Sequence, residues 1–289
     1  MAQAETQLKG ASDSEREQEA SESRLGRIEY VLIGVVVLYA GILLVAPLLA
    51  IIWGSLGQGI TRLIGELTTP DALSALRLTL LIALASTVIN TVFGLAAAWV
   101  LVRDDFPGKR IVNGLVDMPF AVSPVIAGFM LILLFGRNGW LTMLTDAIGI
   151  KVVFAIPGIL LATIFISLPF VIREVMPVLA EVSRDQEDAA RTMGARGWQT
   201  FWHVTLPAIR WGLLYGVSLT FARSIGEIGA VLVVSGHITG LTETSTLYIL
   251  RSIDGRNYIG AYSTAIILAA ISFVILMTIE TVRKRTEKR

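Results

Sequence analysis

The feature that most constrains this chain is a series of apolar runs, each long enough to cross a lipid bilayer. The first, VLIGVVVLYAGILLVAPLLAIIW, covers residues 31–53, and a helix of that length exceeds the ~30 Å of hydrocarbon in a membrane. Further runs meet the same criterion at about 78–102, 112–135, 156–172, 211–234 and 261–282. Because backbone polar groups in lipid must be satisfied within the chain, these runs predict six transmembrane helices and an all-α polytopic membrane protein.

Composition supports a membrane protein and excludes several other classes. Only 16% of the 289 residues are charged, whereas soluble domains carry about a quarter. The net charge of +1 argues against nucleic acid as a partner. The chain has no cysteine, its histidines His203 and His237 lie in separate loops, and no GxxxxGK[ST] motif occurs. We therefore expect no metal site, no cofactor or ATP bound by this chain, and no enzymatic activity.

The two ends of the chain and its loops carry an uneven charge distribution. Residues 1–27 are rich in Glu, Ser and Arg and predict a disordered tail, which leaves 28–289 as the membrane domain. Lysine and arginine are concentrated in that tail, around 103–110, in a long loop at about 173–211, and after residue 282. Since positive charge marks the cytoplasmic side, both termini and the long loop are predicted to be cytoplasmic.

The loop at about 173–211 is far longer than a connector between two spans requires. The segment EVSRDQEDAARTM, 181–193, predicts a helix that Gly194 ends. A second short helix follows, and Pro207 stops that turn and begins the next helix. Apolar residues share one face of the second helix: Trp198, Phe201, Trp202 and Leu206. Such a face is typical of a helix resting on the membrane surface or of a helix docked into a groove of a cytoplasmic partner.

The spacing of small and apolar residues in this loop resembles a known motif. Asp188-Ala189-Ala190, three residues, Gly194, nine residues and Val204-Thr205-Leu206-Pro207 resemble the EAA motif of bacterial ABC importer permeases, with Asp188 in place of Glu and Val204 in place of Ile. The resemblance implies a type I ABC importer permease fold whose loop couples to a cytoplasmic ATPase, which would bind the ATP and Mg²⁺. The residues implied in coupling are Asp188, Ala189, Ala190, Gly194, Trp198, Leu206 and Pro207.

Three longer segments, 117–129, 206–240 and 254–262, resemble the W-type permease subunits of sulfate/thiosulfate importers. The likeness covers nearly everything after Tyr30, but T-type sulfate permeases and molybdate permeases share part of it, so selectivity among these oxyanions stays open. The resemblance implies a heterodimer with a T-type permease and two copies of an ABC ATPase in the bacterial inner membrane. An extracytoplasmic binding protein would contact the outward loops around 136–155 and 236–260.

Charged and hydroxyl side chains within the predicted spans are candidates for the translocation pathway. Arg223 and Glu227 stand at i and i+4 of the fifth predicted span, where charge is costly and faces the bundle interior or a cavity. They form an ion pair that neutralises itself, or they line a pathway or gate. Hydroxyls at Ser123, Ser167, Ser218 and Thr220 contact an oxyanion or donate to the carbonyl one turn earlier.

Two other functions are less consistent with the sequence. An ion-coupled secondary transporter predicts repeated halves and several intramembrane carboxylates. No internal repeat is visible, and Glu227 is the only carboxylate deep in a predicted span. A membrane scaffold that only recruits a partner leaves the Arg223–Glu227 pair and the proline-interrupted spans without a role.

Overall fold

A computed structural model describes residues 27–57 and 59–287, so the predicted tail at 1–27 lies outside the described residues except for Arg27. Within that part of the chain every regular element is helical. The α-helices are α1 Arg27–Leu56, α2 Ile60–Leu67, α3 Pro70–Arg103, α4 Lys109–Ala121, α5 Pro124–Phe135, α6 Thr142–Ala147, α7 Ile156–Glu181, α8 Arg184–Thr192, α9 Gly197–Thr200, α10 Leu206–Ile225, α11 Gly229–Val234, α12 Ser245–Asp254 and α13 Tyr258–Glu287; a π-helical segment, Phe201–Thr205, joins α9 to α10.

The all-α polytopic architecture is confirmed, although the spans differ from the predicted six. Among the described residues four helices are long and apolar enough to cross a membrane, namely those in α1, α3, α7 and α13, and α4 with α5 makes a fifth if that bent pair is one span. The predicted span 112–135 is bent by 112° between α4 and α5. The bend lies at Ser123, whose backbone is extended because proline follows it.

The predicted span 211–234 is also interrupted. Helix α10 ends at Ile225 and α11 begins at Gly229, so Gly226, Glu227 and Ile228 form a break. Gly226, at the end of α10, disfavours continuation of the helix because glycine has a low helix propensity. The break places Glu227 outside regular helix, where its backbone and carboxylate are free to make other contacts.

Helix α7 extends beyond its predicted end at 172, through Arg173 to Glu181. Arg173 remains in the helix because Asp117 of α4 accepts two hydrogen bonds from its guanidinium, at 2.7 Å and 2.6 Å. A side-chain oxygen of Asn113 accepts a third at 3.0 Å. The long loop is therefore shorter than predicted: residues 182–205 separate α7 from α10, and we call them the candidate coupling loop.

Helices α3, α7 and α10 pack against one another and form the centre of the bundle. Two apolar clusters lie along them; the first includes Ile82, Ile159, Ile166 and Val231, and the second includes Leu101, Ile172, Leu179 and Ile209. In α3 and α7, polar residues separate the two clusters: Asn90 of α3 donates to Ser167 of α7 at 2.9 Å, and Ser224 of α10 donates to Ser167 at 3.3 Å. These bonds fix the three helices relative to one another, because polar groups buried in a bundle need partners.

Glycines in α10 allow it to approach α7 closely. A Cβ on Gly212 would lie 2.8 Å from Cγ2 of Val178 and 3.0 Å from the carbonyl oxygen of Glu174. We expect Gly212→Ala to separate the helices and to destabilise the protein by about 1–3 kcal/mol, as overpacking does. Gly114→Ala in α4 is the matched control, because nothing lies within 4 Å of its Cβ position. Thermal unfolding of the purified protein checks this: an unchanged midpoint for Gly212→Ala would contradict the close packing.

Candidate functional site

The first half of the candidate coupling loop is the helix α8. It begins after Ser183, whose hydroxyl accepts from the backbone N–H of Asp185 at 3.1 Å, a standard N-cap contact. Asp185 and Glu187 lie in the first turn and Arg191 in the last, which suits the helix dipole at both ends. The predicted helix at 181–193 is thus confirmed with slightly shorter bounds, Arg184–Thr192.

Helix α8 ends in a left-handed glycine. Gly194 has φ +89°, and the backbone N–H of Ala195 donates to the carbonyl of Ala190 at 3.0 Å. The N–H of Gly194 donates to the carbonyl of Arg191 at 2.9 Å. Together these bonds form a Schellman motif, which turns the chain from α8 towards α9. Gly194 is needed here for its positive φ, because no atom lies within 4 Å of where its Cβ would be.

This geometry predicts that the shape of the backbone matters at position 194 more than side-chain size. Gly194→Val introduces a β-branched residue at positive φ, costing at least the ~1–2 kcal/mol of a left-handed residue, and we expect it to reduce transport strongly. Gly194→Asn is expected to retain most activity, because asparagine tolerates this conformation. Uptake normalised to membrane abundance measures both. Equal loss in the two variants would show that occupied space, not backbone conformation, limits this position.

The second half of the loop continues into a bundle helix without a break. Phe201 and Leu206, the two junction residues, have α-helical dihedrals, so the backbone is helical from Gly197 to Ile225. Pro207 does not stop the turn, but it lies at the start of the next helix as predicted, as the second residue of α10. The wider π-helical turn before it accommodates a ring that lacks an N–H. Helices α9 and α10 are therefore parts of one continuous helical segment.

Three aromatic rings gather on α9 and the π-helical segment. Ring centroids are 5.3 Å apart for Trp198 and Trp202, and 5.7 Å apart for Phe201 and Trp202. The predicted single apolar face divides in two: Trp198 and Trp202 are 70% and 46% exposed, whereas Phe201 packs edge-on against Trp99 of α3 at 5.7 Å. Leu206 joins the second apolar cluster. We call Trp198 and Trp202 the exposed tryptophan pair; large exposed aromatics of this kind mark interaction surfaces.

The other motif residues divide in the same way between surface and interior. Asp188, Ala189 and Pro207 are exposed, and Ala190 is buried. Asp188 lies 3.7 Å from Arg191 of the same helix. The buried carboxylate of α8 is its neighbour Glu187, which the motif comparison did not single out. The sequence does contain one signal for this: two consecutive acidic residues on a helix point in different directions, so that only one of them can face the bundle.

The Arg223–Glu227 pair is present, with a geometry that the sequence did not reveal. Nη1 of Arg223 lies 2.7 Å from Oε2 of Glu227, whose side chain is 2% exposed against 31% for that of Arg223. Oε1 of Glu227 accepts from the N–H of Ala230 at 3.0 Å, at the start of α11, and its carbonyl accepts from Thr246 at 2.8 Å. Glu227 therefore joins α10, α11 and the start of α12 at the helix break.

The hydroxyl candidates lie in different environments. Ser167 and Ser218 are buried and donate to carbonyls one turn earlier, those of Thr163 and Leu214, each at 2.5 Å. Thr220 is buried, and within the described chain its hydroxyl has no hydrogen-bond partner. Ser123 is exposed at the bend between α4 and α5. Of the four, Ser123 alone presents an accessible hydroxyl.

The two loops predicted to face outward, around 136–155 and 236–260, also carry charge. The first borders a cavity of about 760 Å³, whose lining includes Arg137, Asp146 and Lys151. In the other loop, Arg251 donates to Glu243 at 2.6 Å and to Asp71 at 3.0 Å. The hydrogen bond to Glu243 raises the pKa of Arg251, which stays charged at all physiological pH. This ion-pair group fastens α12 to the start of α3.

The amino-acid sequence is similar to that of known transport proteins. Residues 90–288 match the family described as binding-protein-dependent transport system inner membrane component. The sulfate transport system permease protein CysW of Synechococcus elongatus is 46% identical over 258 residues, 89% of this chain and 90% of that protein. The sulfate transport system permease protein CysT of Escherichia coli K12 is 37% identical over 257 residues, which cover 89% of this chain and 93% of that protein.

A solved structure shares the fold. The bacterial alginate ABC transporter, crystallised with a periplasmic protein that carries an alginate pentasaccharide, contains a chain that matches with a TM-score of 0.75. The match covers 90% of this chain and 94% of that one at 17% identity. The predicted ABC importer permease fold is thereby confirmed.

Apolar spans, a patterned loop and this fold define a multi-pass membrane permease rather than an enzyme. The chain belongs to the binding-protein-dependent transport system inner membrane component family.

Proposed function

We propose that this chain is the W-type permease subunit of an ATP-driven sulfate importer that also accepts thiosulfate. The observation that carries the proposal is 46% identity to a CysW protein over 89% of the chain. Among the proteins of Escherichia coli K12, this chain is 40% identical to CysW and 37% identical to CysT, which favours the W-type subunit. A T-type permease would complete the heterodimer, and neither subunit needs a cofactor of its own.

The exposed tryptophan pair would dock into a cytoplasmic ATPase, two copies of which supply ATP hydrolysis with Mg²⁺. Three features support this: the pair is exposed, α9 continues into α10, and α8 ends in a defined turn at Gly194. Both termini and the candidate coupling loop then face the cytoplasm. The outward loops would receive a binding protein that delivers the anion.

The pathway would run past the helix breaks. Arg223 is 31% exposed beside the break in α10–α11, and Ser123 is exposed at the bend between α4 and α5. A guanidinium and hydroxyls are donors that suit an oxyanion. Ser167 and Ser218 are less suited to direct contact, because they are buried and already donate to backbone carbonyls.

Uptake of radiolabelled sulfate in cells with and without this chain tests the substrate. We expect loss of energy-dependent uptake without the chain, and competition by excess thiosulfate but hardly by molybdate. If sulfate uptake is unchanged and molybdate uptake is lost instead, the substrate is wrong while the transporter class stands.

A further inference from the structure

Glu187 is the most enclosed charged group of the candidate coupling loop. Its side chain is 5% exposed, and Oε1 accepts from Nη2 of Arg103 at 2.8 Å. The same oxygen accepts from the hydroxyl of Thr205 at 3.1 Å. Glu187 belongs to α8, Thr205 to the π-helical segment and Arg103 to the last turn of α3. One carboxylate oxygen thus connects both halves of the loop with a bundle helix.

Arg103 is held from several directions. Its side chain is 9% exposed, and Nη2 also donates to the carbonyl of Val182 at 3.1 Å, at the start of the loop. The carbonyl of Arg103 accepts from the guanidinium of Arg184 in α8. The end of α3 is therefore bonded to the loop through both the side chain and the backbone of one residue.

Aromatic contacts support the same junction one turn earlier in α3. Trp99 packs edge-on against Phe201 at 5.7 Å between ring centroids, and the guanidinium of Arg103 lies 6.0 Å from the Trp99 ring. Arg103 thus contacts an aromatic side chain that itself holds the π-helical segment. The last turn of α3 reaches both α8 and the segment that follows α9.

We propose that Arg103 and Glu187 are positioning residues that clamp the candidate coupling loop to α3. Movement of the loop then reaches α3 through this clamp and α10 through the continuous helix. The inference rests on the proposed function, in which the loop receives force from an ATPase. A buried charge left without its partner destabilises a protein far more than replacement of the whole pair by apolar groups, so the clamp is testable by comparing single and double variants.

The test uses the full permease–ATPase–binding protein complex in proteoliposomes, with the variants Arg103→Met, Glu187→Met and the double variant. The readout is the amount of sulfate transported per ATP hydrolysed. If the two residues only stabilise the fold, the complexes that do assemble should keep the wild-type ratio. We expect each single variant, and also the double variant that lacks the whole ion pair, to lower this ratio at least tenfold. A normal ratio in both single variants, or in the double variant, would overturn the clamp.

An exposed ion pair just after the end of α3 provides the control. Lys109 and Asp105 lie 2.9 Å apart, with 34% and 95% of their side chains exposed. The hydrogen bond from Lys109 lowers the pKa of Asp105. An ion pair this exposed nevertheless contributes little to stability. Lys109→Met, Asp105→Met and their double variant should all keep the wild-type ratio; a tenfold loss here would mean that any charge change near the loop has this effect, against the clamp.

Thermal unfolding of the same variants separates the clamp from the choice of substrate, and Glu187→Gln covers the case in which a methionine variant does not assemble. We expect the two single variants to unfold at lower temperature than the double variant. This order is independent of which anion is transported, so it holds even if wild-type complex moves no sulfate. Additive single effects would show that the two side chains act separately and would overturn the clamp.

Discussion

Arg223→Met is expected to abolish uptake, and it should be more damaging than Glu227→Gln. Removing the guanidinium leaves a carboxylate that is 2% exposed without its counter-charge, and breaking such a buried pair costs about 3–5 kcal/mol. Glu227→Gln leaves the arginine charge, which is 31% exposed and therefore less enclosed than the carboxylate. The amide oxygen of Gln can still accept from Ala230. Membrane abundance, thermal stability and uptake of the two variants measure the difference.

The double variant Arg223→Met/Glu227→Gln decides what the pair does. If mutual neutralisation is its whole role, the double variant should be more stable and more active than Arg223→Met alone. A double variant that is stable but inactive would place Arg223 in contact with the transported anion. If the double variant is less stable than either single variant, Arg223 and Glu227 stabilise the protein through separate contacts and not through their ion pair.

Loss of the exposed tryptophan pair is expected to uncouple the permease from its ATPase. Trp198→Ala/Trp202→Ala removes two rings that lie 5.3 Å apart and are not named members of the two apolar clusters. Interface tryptophans contribute about 2 kcal/mol or more each, so we expect ATPase association to weaken by at least tenfold and uptake to fall with it. Co-purification of the ATPase with the tagged permease measures association, and labelled sulfate measures uptake.

Trp140→Ala is the matched control, because Trp140 is 89% exposed but lies before α6, in a loop predicted to face outward. It should leave ATPase association unchanged. Wild-type association in Trp198→Ala/Trp202→Ala would contradict docking and support the other interpretation, in which the aromatic face rests on the membrane surface.

Sequence patterns predicted the first half of the candidate coupling loop well because its structure is local. The Ser183 cap, the short helix and the left-handed Gly194 depend on neighbours within a few residues, and each has a recognisable residue type. Apolar runs likewise predicted the four long apolar helices α1, α3, α7 and α13. The predicted spans failed where the chain bends, at Ser123 and at Gly226–Ile228, since hydropathy does not register a break in a helix.

Contacts between distant segments were beyond the sequence. The charge of Arg173 predicts the end of a span, but Arg173 lies within α7, where its guanidinium donates to Asp117, far away in sequence. Ser167 is a candidate for the pathway from sequence alone, yet in the structure it accepts hydrogen bonds from Asn90 and Ser224 between the two apolar clusters. Glu187 was overlooked in favour of Asp188, because only the position of Arg103 decides which of two adjacent carboxylates is buried.

The most direct test of the central claim is sulfate uptake into proteoliposomes that contain this chain, a T-type permease and the ATPase, with binding protein on the side of the outward loops. We expect labelled sulfate to be transported only when ATP and binding protein are both present. Uptake that ignores ATP and instead follows an imposed proton or sodium gradient would contradict an ATP-driven importer and favour an ion-coupled transporter.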